Sequence, residues 1–155
     1  MTKYRQNRLF WIVTIIGLIL DQLTKYLVAQ TFSFGQTLPL LPGVFHLTYV
    51  SNTGAAFSLL SGKIEWLRWF SLGFSLALMA SAWFSSMRTK EVQFGLGFLL
   101  AGTLGNTVDR FLLGYIIDFL DFRLTNLPVF NLADLLITMG IAFMFVNFFR
   151  PISSS

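Results

Sequence analysis

Two aspartates, Asp118 and Asp134, have side chains and positions suited to acid–base catalysis. Asp118 follows the apolar run Gly114-Tyr115-Ile116-Ile117, and Asp134 closes Phe130-Asn131-Leu132-Ala133-Asp134 at the start of the last apolar stretch. Two carboxylates that share one water cannot both ionise cheaply, so one keeps a proton while the other stays charged. Such a pair can activate water against a carbonyl group by general acid–base catalysis. Two alternatives remain open: Asp134 as a carboxylate stabilised by a helix dipole, and Asp118 as a solvated loop acid.

Further polar side chains lie within apolar segments, where ionisable groups are costly and usually functional. Asp21 and Lys25 are four residues apart on one helical face, which predicts an ion pair that supports the site or caps the helix. A second stripe on the third apolar segment combines a glycine, an amide and two charges: Gly102, Asn106, Asp109 and Arg110. We interpret it as a polar network between helices, in which Gly102 permits close approach and Arg110 holds a carboxylate. Asn131 is predicted to share the helical face of Asp134 and to bond the pair or the substrate backbone.

The composition argues against other catalytic sets. The chain has no cysteine and a single histidine, His46, which excludes thiolate catalysis and Cys-based or His-rich metal sites. We expect no metal and no cofactor. Neither H-E-x-x-H nor G-x-S-x-G occurs. Ser61 and Lys63 are a weak candidate for a Ser/Lys dyad, and His46 is predicted to face the surface or the lipid headgroups.

The composition indicates that the protein carrying these residues is a membrane protein. Of 155 residues, 55% are hydrophobic and 12% are charged, whereas a soluble domain carries roughly a quarter of charged residues. Apolar segments long enough to span, roughly 20 residues, are predicted at about 9–29, 66–84, 94–111 and 129–149. Residues 31–57 contain β-prone runs between prolines and glycines. We therefore predict one domain over residues 1–155, an all-α membrane protein with four transmembrane helices and a small extramembrane β-sheet section.

The distribution of charge predicts the orientation. Four spans place both termini on one side, and that end holds six bases: Lys3, Arg5, Arg8, Arg88, Lys90 and Arg150. The opposite end holds five bases but most of the acids, including Asp118 and Asp134. Because short basic loops face the cytoplasm, we predict cytoplasmic termini and a site near the outer face. The bases are scattered along the chain, so no nucleic-acid partner is expected.

Five short motifs occur in a fixed order. Asp21-Gln22-Leu23-Thr24-Lys25 is similar to D-x-x-[ST]-K, and Asn52-Thr53-Gly54-Ala55-Ala56-Phe57 is similar to N-x-G-A-A-F. Gly105-Asn106-Thr107-Val108-Asp109-Arg110 resembles G-N-x-x-D-R. Ile117-Asp118-Phe119 resembles V-x-D-F, with isoleucine in a hydrophobic place, and Phe130-Asn131-Leu132-Ala133-Asp134 matches F-N-x-A-D. Over nearly its whole length the chain resembles the bacterial lipoprotein signal peptidases, the signal peptidase II family.

The resemblance implies an intramembrane aspartyl endopeptidase with Asp118 and Asp134 as its catalytic aspartates. Eight supporting residues are expected around them: Asp21, Lys25, Asn52, Gly54, Asn106, Asp109, Arg110 and Asn131. The implied substrate is a prolipoprotein whose cysteine carries diacylglycerol, cut before that cysteine. A monomer in the bacterial cytoplasmic (inner) membrane, in contact with membrane lipid, is expected. The resemblance also implies that globomycin-type inhibitors occupy the same cleft and that a lipid-level helix lies within residues 112–128.

The main rival hypothesis is a small transporter or channel, in which Asp21, Asp109 and Arg110 line a proton or ion path. This hypothesis explains buried charge equally well. It does not explain why the acids gather at one interface, and it leaves the predicted sheet without a role. A purely structural membrane subunit is the weaker rival, because it has no use for so many charges within spans.

Overall fold

The computed structural model describes residues 7–54, 63–87, 89–124 and 127–149. In this part of the chain it contains four helices and three strands. In chain order they are α1 (Arg8–Thr31), β1 (Thr37–Leu41), β2 (Phe45–Asn52), α2 (Ile64–Phe84), α3 (Lys90–Leu112), β3 (Ile116–Phe122) and α4 (Leu132–Phe148). The predicted fold class, four helices with a small sheet section, is confirmed, and the helix ends differ from the predicted spans by only a few residues.

The helices differ in how apolar they are. α1 and α2 are long and apolar enough to cross a membrane by length and composition, and α4 is a shorter apolar helix. α3 has 23 residues but carries the polar stripe on its buried side. Large apolar side chains cover the outer faces; Ile15 and Ile19 of α1, for example, are more than half exposed. This arrangement, apolar outside and polar inside, is the one that a lipid solvent requires.

α3 lies at the centre of the bundle and packs against α1, α2 and α4. Small residues permit the close approach. A Cβ atom added to Gly140 of α4 would lie 2.7 Å from the carbonyl oxygen of Gly95, and one added to Gly97 would lie 2.9 Å from that of Phe10. Lipid tails are as apolar as the side chains, so helix association in a membrane depends on such close packing.

At the N-terminal end of α1, buried amide side chains hold three helices together. Asn7 donates from Nδ2 to the carbonyl oxygens of Ala82 at 2.7 Å and Ser85 at 2.6 Å, and its Oδ1 accepts from the N–H of Met87 at 2.9 Å. Gln93 of α3 accepts from the first turn of α1 at 3.1 Å. This Asn7 clamp, formed by Asn7 and Gln93, satisfies backbone groups that helix ends leave without partners.

The strands form one antiparallel sheet in the order β1-β2-β3. Gly43, with φ of +74°, turns the chain between β1 and β2 in a conformation that glycine adopts without steric cost. β2 pairs with β3 so that Val50 lies opposite Asp118. An apolar cluster joins the sheet to the end of α1: Val28, Tyr49, Ile117 and Phe119. The sheet is therefore packed onto the bundle at the end where α3 finishes.

Two expectations are wrong in the described residues. Residues 116–122 form β3 and not a lipid-level helix, so the sheet section extends beyond residues 31–57. Gly114, with φ of +78°, turns the chain back after α3, and the backbone then pairs with β2. His46 is 8% exposed and does not face the surface; it lies on the central strand between its cross-strand partners Pro39 and Asp121.

Gly140→Ala is expected to lower the melting temperature of the detergent-solubilised protein, because the new methyl group would push α4 away from the Gly95 carbonyl. Overpacking of this kind costs roughly 1–3 kcal/mol. Gly73→Ala on α2 is the matched control, since a Cβ there meets no described atom within 4 Å. The control should melt no lower than the wild type. Equal melting temperatures for the two variants would contradict the close packing of α3 and α4.

Candidate active site

β3 and α4 bring the two predicted catalytic aspartates together. Asp118 lies within β3, Asp134 lies in the first turn of α4, and the chain between them returns along β3. The Phe130 N–H donates to the Leu120 carbonyl oxygen at 3.0 Å, and the Phe130 carbonyl oxygen accepts from the Leu120 N–H at 2.8 Å. Backbone pairing therefore holds the start of α4 beside the strand that carries Asp118.

Asn131 links the two carboxylates. Its Nδ2 donates to Asp118 Oδ1 at 2.6 Å, and its Oδ1 accepts from the Asp134 N–H at 3.0 Å. The Asn131 N–H donates to Asp134 Oδ2 at 3.2 Å, which completes a capping box at the start of α4. Because its backbone is extended, Asn131 precedes the helix; the prediction that it shares a helical face with Asp134 is wrong, but the expected bond to the pair is present.

Asn52, at the end of β2, holds the other oxygen of Asp118. Its Nδ2 donates to Asp118 Oδ2 at 2.9 Å, and its own Oδ1 accepts from the Gly54 N–H at 2.8 Å. Burial and the neighbouring charge of Asp134 raise the pKa of Asp118 to about 7, although the bonds from Asn52 and Asn131 act in the opposite direction. Near neutral pH the pair is therefore poised to hold one proton.

A buried ion cluster lies behind the pair, between α1 and α3. The Lys25 ammonium is 2% exposed and lies 3.0 Å from both Asp21 Oδ2 and Asp109 Oδ2. It also donates to Asn106 Oδ1 at 3.0 Å, and Asn106 Nδ2 donates to Asp134 Oδ1 at 2.9 Å. The Lys25 cluster, formed by Lys25, Asp21 and Asp109, is therefore connected to the pair through a single amide.

The aspartates of the Lys25 cluster also hold the backbone of the site. Asp21 Oδ1 accepts from the N–H of Ala133 at 2.9 Å, at the start of α4. Asp109 Oδ2 accepts from the N–H of Ile117 at 3.2 Å, next to Asp118 in β3. Each acid thus fixes the element that carries one of the two predicted catalytic aspartates.

Two residues of this network were missed by sequence reasoning. Gln22 Nε2 donates to Asp21 Oδ2 at 3.2 Å and to Asp109 Oδ1 at 3.1 Å, so it links the two acids of the cluster. Gly105 leaves room for the Asp21 carboxylate, which a Cβ atom at this position would overlap. Both stand inside the quoted motifs, Gln22 beside Asp21 and Gly105 before Asn106, and this adjacency is the signal that could have identified them.

Arg110 is 7% exposed and donates from Nη2 to the Gly54 carbonyl oxygen at 3.4 Å. Its Nε has no hydrogen-bond partner among the described residues. Among the described residues no carboxylate lies within ion-pair distance of Arg110, so the expected contact between Arg110 and a carboxylate is not formed.

Beside Asp118 a cavity of about 210 Å³ is lined by residues 50–53 and 128–129. The site thus offers an open space beside one of the two predicted catalytic aspartates.

Several further predictions concern residues other than the two aspartates. Gly102, predicted to permit close approach, does so: a Cβ atom there would lie 2.8 Å from Ile137 Cγ1. Ser61 and residues 55–57 lie outside the described residues, and Lys63 is the exposed residue before α2. Within the described ranges no group of three or more His, Cys, Asp or Glu residues is arranged to hold a metal ion. All eight expected supporting residues, by contrast, lie in or beside the network around Asp118 and Asp134.

A family model described as signal peptidase (SPase) II matches residues 13–150. The chain belongs to the signal peptidase II family. It is 59% identical over 150 residues to the lipoprotein signal peptidase of Nostoc punctiforme, covering 97% of this chain and 95% of that protein. It is 53% identical over 150 residues to the lipoprotein signal peptidase of Synechocystis sp., covering 96% of this chain and 92% of that protein.

Two solved structures, each described as a bacterial membrane enzyme, have the same fold as this signal peptidase II family member. One has a TM-score of 0.82 at 30% identity and covers 88% of this chain and 85% of its own. The other has a TM-score of 0.79 at 30% identity and covers 90% of this chain and 91% of its own. Family membership makes the chain a protease, and the fold is that of a membrane enzyme.

Lys25→Met is expected to destabilise the protein strongly, because it leaves the carboxylates of Asp21 and Asp109 buried without their cation. Removing one partner of a buried ion pair costs roughly 3–5 kcal/mol. Arg123→Met is the control, since it breaks a pair with Asp121 at 3.0 Å in which the arginine is 44% exposed; such pairs contribute about 0–1 kcal/mol. Thermal melting in detergent compares the two, and similar losses would show that the cluster does not hold the bundle together.

Proposed function

We propose that this chain is an intramembrane aspartyl endopeptidase that removes signal peptides from prolipoproteins, cutting before a diacylglyceryl-modified cysteine. The observation that carries the catalytic type is the asparagine link: Asp118 and Asp134 are bonded to the same residue, Asn131, beside an open cavity. The substrate class is supported by the name that the relatives share, lipoprotein signal peptidase, and by the five motifs.

In the proposed reaction one aspartate is charged and the other is protonated. The charged aspartate takes a proton from water as the water oxygen bonds to the scissile carbonyl carbon, and the protonated aspartate gives its proton to the carbonyl oxygen. A neutral diol results. When the C–N bond breaks, the nitrogen takes the proton that came from water and a diol hydroxyl returns its proton to the other aspartate. Both carboxyl groups thereby regain their starting states.

The proposed location is the bacterial cytoplasmic membrane, with both termini in the cytoplasm and the pair near the outer face. The pair, the sheet and the Lys25 cluster all lie at the end of the bundle opposite the Asn7 clamp, and the described bases Arg8 and Lys90 lie at the clamp end. An acyl-glyceryl group on the substrate then remains in the bilayer, since each buried methylene contributes about 0.8 kcal/mol. The lipid would hold the scissile bond at the depth of the pair.

We further propose that the chain acts as a monomer surrounded by membrane lipid and that globomycin-type inhibitors occupy the same cleft. The support for the cleft is the 210 Å³ cavity beside Asp118, whose lining joins the end of β2 to residues just before α4. An inhibitor lying there would cover the carboxyl group of Asp118.

Asp118→Asn and Asp134→Asn are each expected to slow cleavage of a diacylated prolipoprotein at least about a hundredfold, because each removes one proton-handling group and keeps the shape. Cleavage is measured with purified protein in lipid bilayers, following release of the signal peptide. The unmodified precursor at equal surface density should be cut much more slowly than the diacylated one.

Asp121→Asn is the matched control, because Asp121 is an acid on the same strand whose carboxylate bonds Thr48 and Arg123. It should keep a rate near that of the wild type. Near-normal turnover in either variant of the pair would remove that residue from the mechanism. Equal cleavage of the two precursors would contradict the proposal that the lipid holds the scissile bond at the depth of the pair. It would not contradict the proposal that the two aspartates are catalytic.

The rate should fall as pH rises above about 7, because Asp118, with a pKa raised to about 7, then loses the proton that the mechanism needs. Asn52→Leu is expected to move this alkaline limb of kcat/KM to higher pH, since the lost donor favours the charged carboxylate. Ser51→Ala, in the same cavity lining, keeps both bonds to Asp118 and should leave the limb in place. A limb that stays fixed in Asn52→Leu would mean that Asp118 does not control it.

A further inference from the structure

The Lys25 ammonium donates three hydrogen bonds, and only two of them go to carboxylates. Its contacts with Asp21 and Asp109 bring charges together, whereas the third, at 3.0 Å, goes to the neutral Oδ1 of Asn106. We propose that Lys25 is a positioning residue that fixes the Asn106 amide so that Asp134 is the charged member of the pair and Asp118 the protonated member. The proposal rests on the proposed function and gives a geometric cause for the protonated role that the pH prediction assigns to Asp118.

The orientation of the Asn106 side chain is forced by its neighbours. A lysine can only donate, and Asn131 Nδ2 donates to the same Asn106 oxygen at 3.2 Å, so Oδ1 must face these two groups. Nδ2 then faces Asp134 Oδ1 at 2.9 Å. Turning the amide over would set an NH₂ group against the ammonium and an oxygen against the carboxylate, which makes two repulsive contacts. Asn106 therefore presents only a donor to Asp134.

The two aspartates differ in what surrounds their charge. Each accepts two N–H hydrogen bonds, so the number of donors does not separate them. Asp134, however, lies in the first turn of α4, where the helix dipole favours a negative charge. Asp118 lies on a strand, where no helix dipole acts on it, and is 1% exposed. The helix end and the amide held by Lys25 both favour the charge on Asp134.

Charged groups lie on each element packed against the start of α4. They are Lys25 and Asp21 of α1, Asp109 and Arg110 of α3, and Asp118 of β3. The four charges of α1 and α3 sum to zero, so a net charge does not select Asp134. The selection comes from direction, because Asp21 and Asp109 point at Lys25 while Lys25 points its remaining donor at Asn106. In the reaction, Asp134 then accepts the proton of water and Asp118 protonates the carbonyl oxygen.

The test compares Lys25→Met with Lys25→Gln, each combined with Asp109→Asn so that the summed charge of the cluster is unchanged. Glutamine keeps an N–H donor for Asn106 Oδ1, whereas methionine of the same chain length has none. In the methionine variant only the longer bond from Asn131 still holds Asn106 Oδ1, so Asn106 can turn its oxygen to a protonated Asp134. The acid limb of kcat/KM on the diacylated precursor should therefore move up by about one pH unit or more in the methionine variant, roughly tenfold in rate on the acid side.

The glutamine variant should keep its acid limb near that of the wild type, whose cluster carries the same summed charge. Both variants lose the same ion pairs, so a merely structural Lys25 would give the two of them the same pH profile, and that result would overturn the proposal. Melting temperatures recorded alongside show that the compared variants are equally folded. A wild type that leaves the diacylated precursor uncut would instead overturn the proposed function.

A second measurement needs no change at Lys25 and applies if the double variants do not fold. Asp118→Asn keeps a neutral group that can donate to the carbonyl, whereas Asp134→Asn removes the base. The residual rate of Asp118→Asn should exceed that of Asp134→Asn by about tenfold or more, and it should lose the alkaline limb. A larger residual rate for Asp134→Asn would reverse the assignment and overturn the proposal.

Discussion

A charge buried within a membrane bundle has to find its counter-charge inside the same bundle, because lipid offers neither water nor ions. The Lys25 cluster is where this constraint acts on the rest of the fold. Its cation comes from α1, and its acids come from α1 and α3. These acids also accept from the N–H groups of Ala133 and Ile117, at the start of α4 and in β3. Four elements therefore meet because two carboxylates need more donors than one ammonium supplies.

The pair itself is divided between two kinds of secondary structure. Asp118 stands on a strand whose backbone is held by β2, and Asp134 stands on a helix whose first turn is capped by Asn131. Neither carboxylate depends on a long flexible side chain for its position. The strand buries one acid, while the dipole at the helix end favours a charge on the other. Two identical side chains thus have different surroundings.

Much of this arrangement could be predicted from the sequence, because lipid enforces a simple pattern. Long apolar runs located the helices, and the rarity of charge within them identified Asp21, Lys25, Asp109 and Arg110 as members of a network. β3 was missed because its residues Ile116 to Phe119 are buried one after another, so the alternation that marks a strand is absent. Its partner strand is also distant in sequence, and pairing at that range leaves no local signal.

The capping role of Asn131 has a local signal, since an asparagine three residues before an acid can form a reciprocal cap. The sequence was interpreted instead as a continuous helix through Asn131, because apolar residues flank it on both sides. The third donor of Lys25 is different. Spacing predicts the pair with Asp21, but only the packing of α1 against α3 reveals that an amide completes the ammonium.

The Asn7 clamp has a consequence for how the chain is inserted during synthesis. The partners that finish the first turn of α1 are backbone groups of residues 82, 85 and 87 and the side chain of Gln93. None of these partners exists when α1 leaves the ribosome, so the polar groups of its first turn are still bonded to water at that stage. Only after the α2–α3 hairpin has been made can these groups exchange water for hydrogen-bond partners within the protein. The first turn of the first helix is therefore completed only after the third helix has begun to be made.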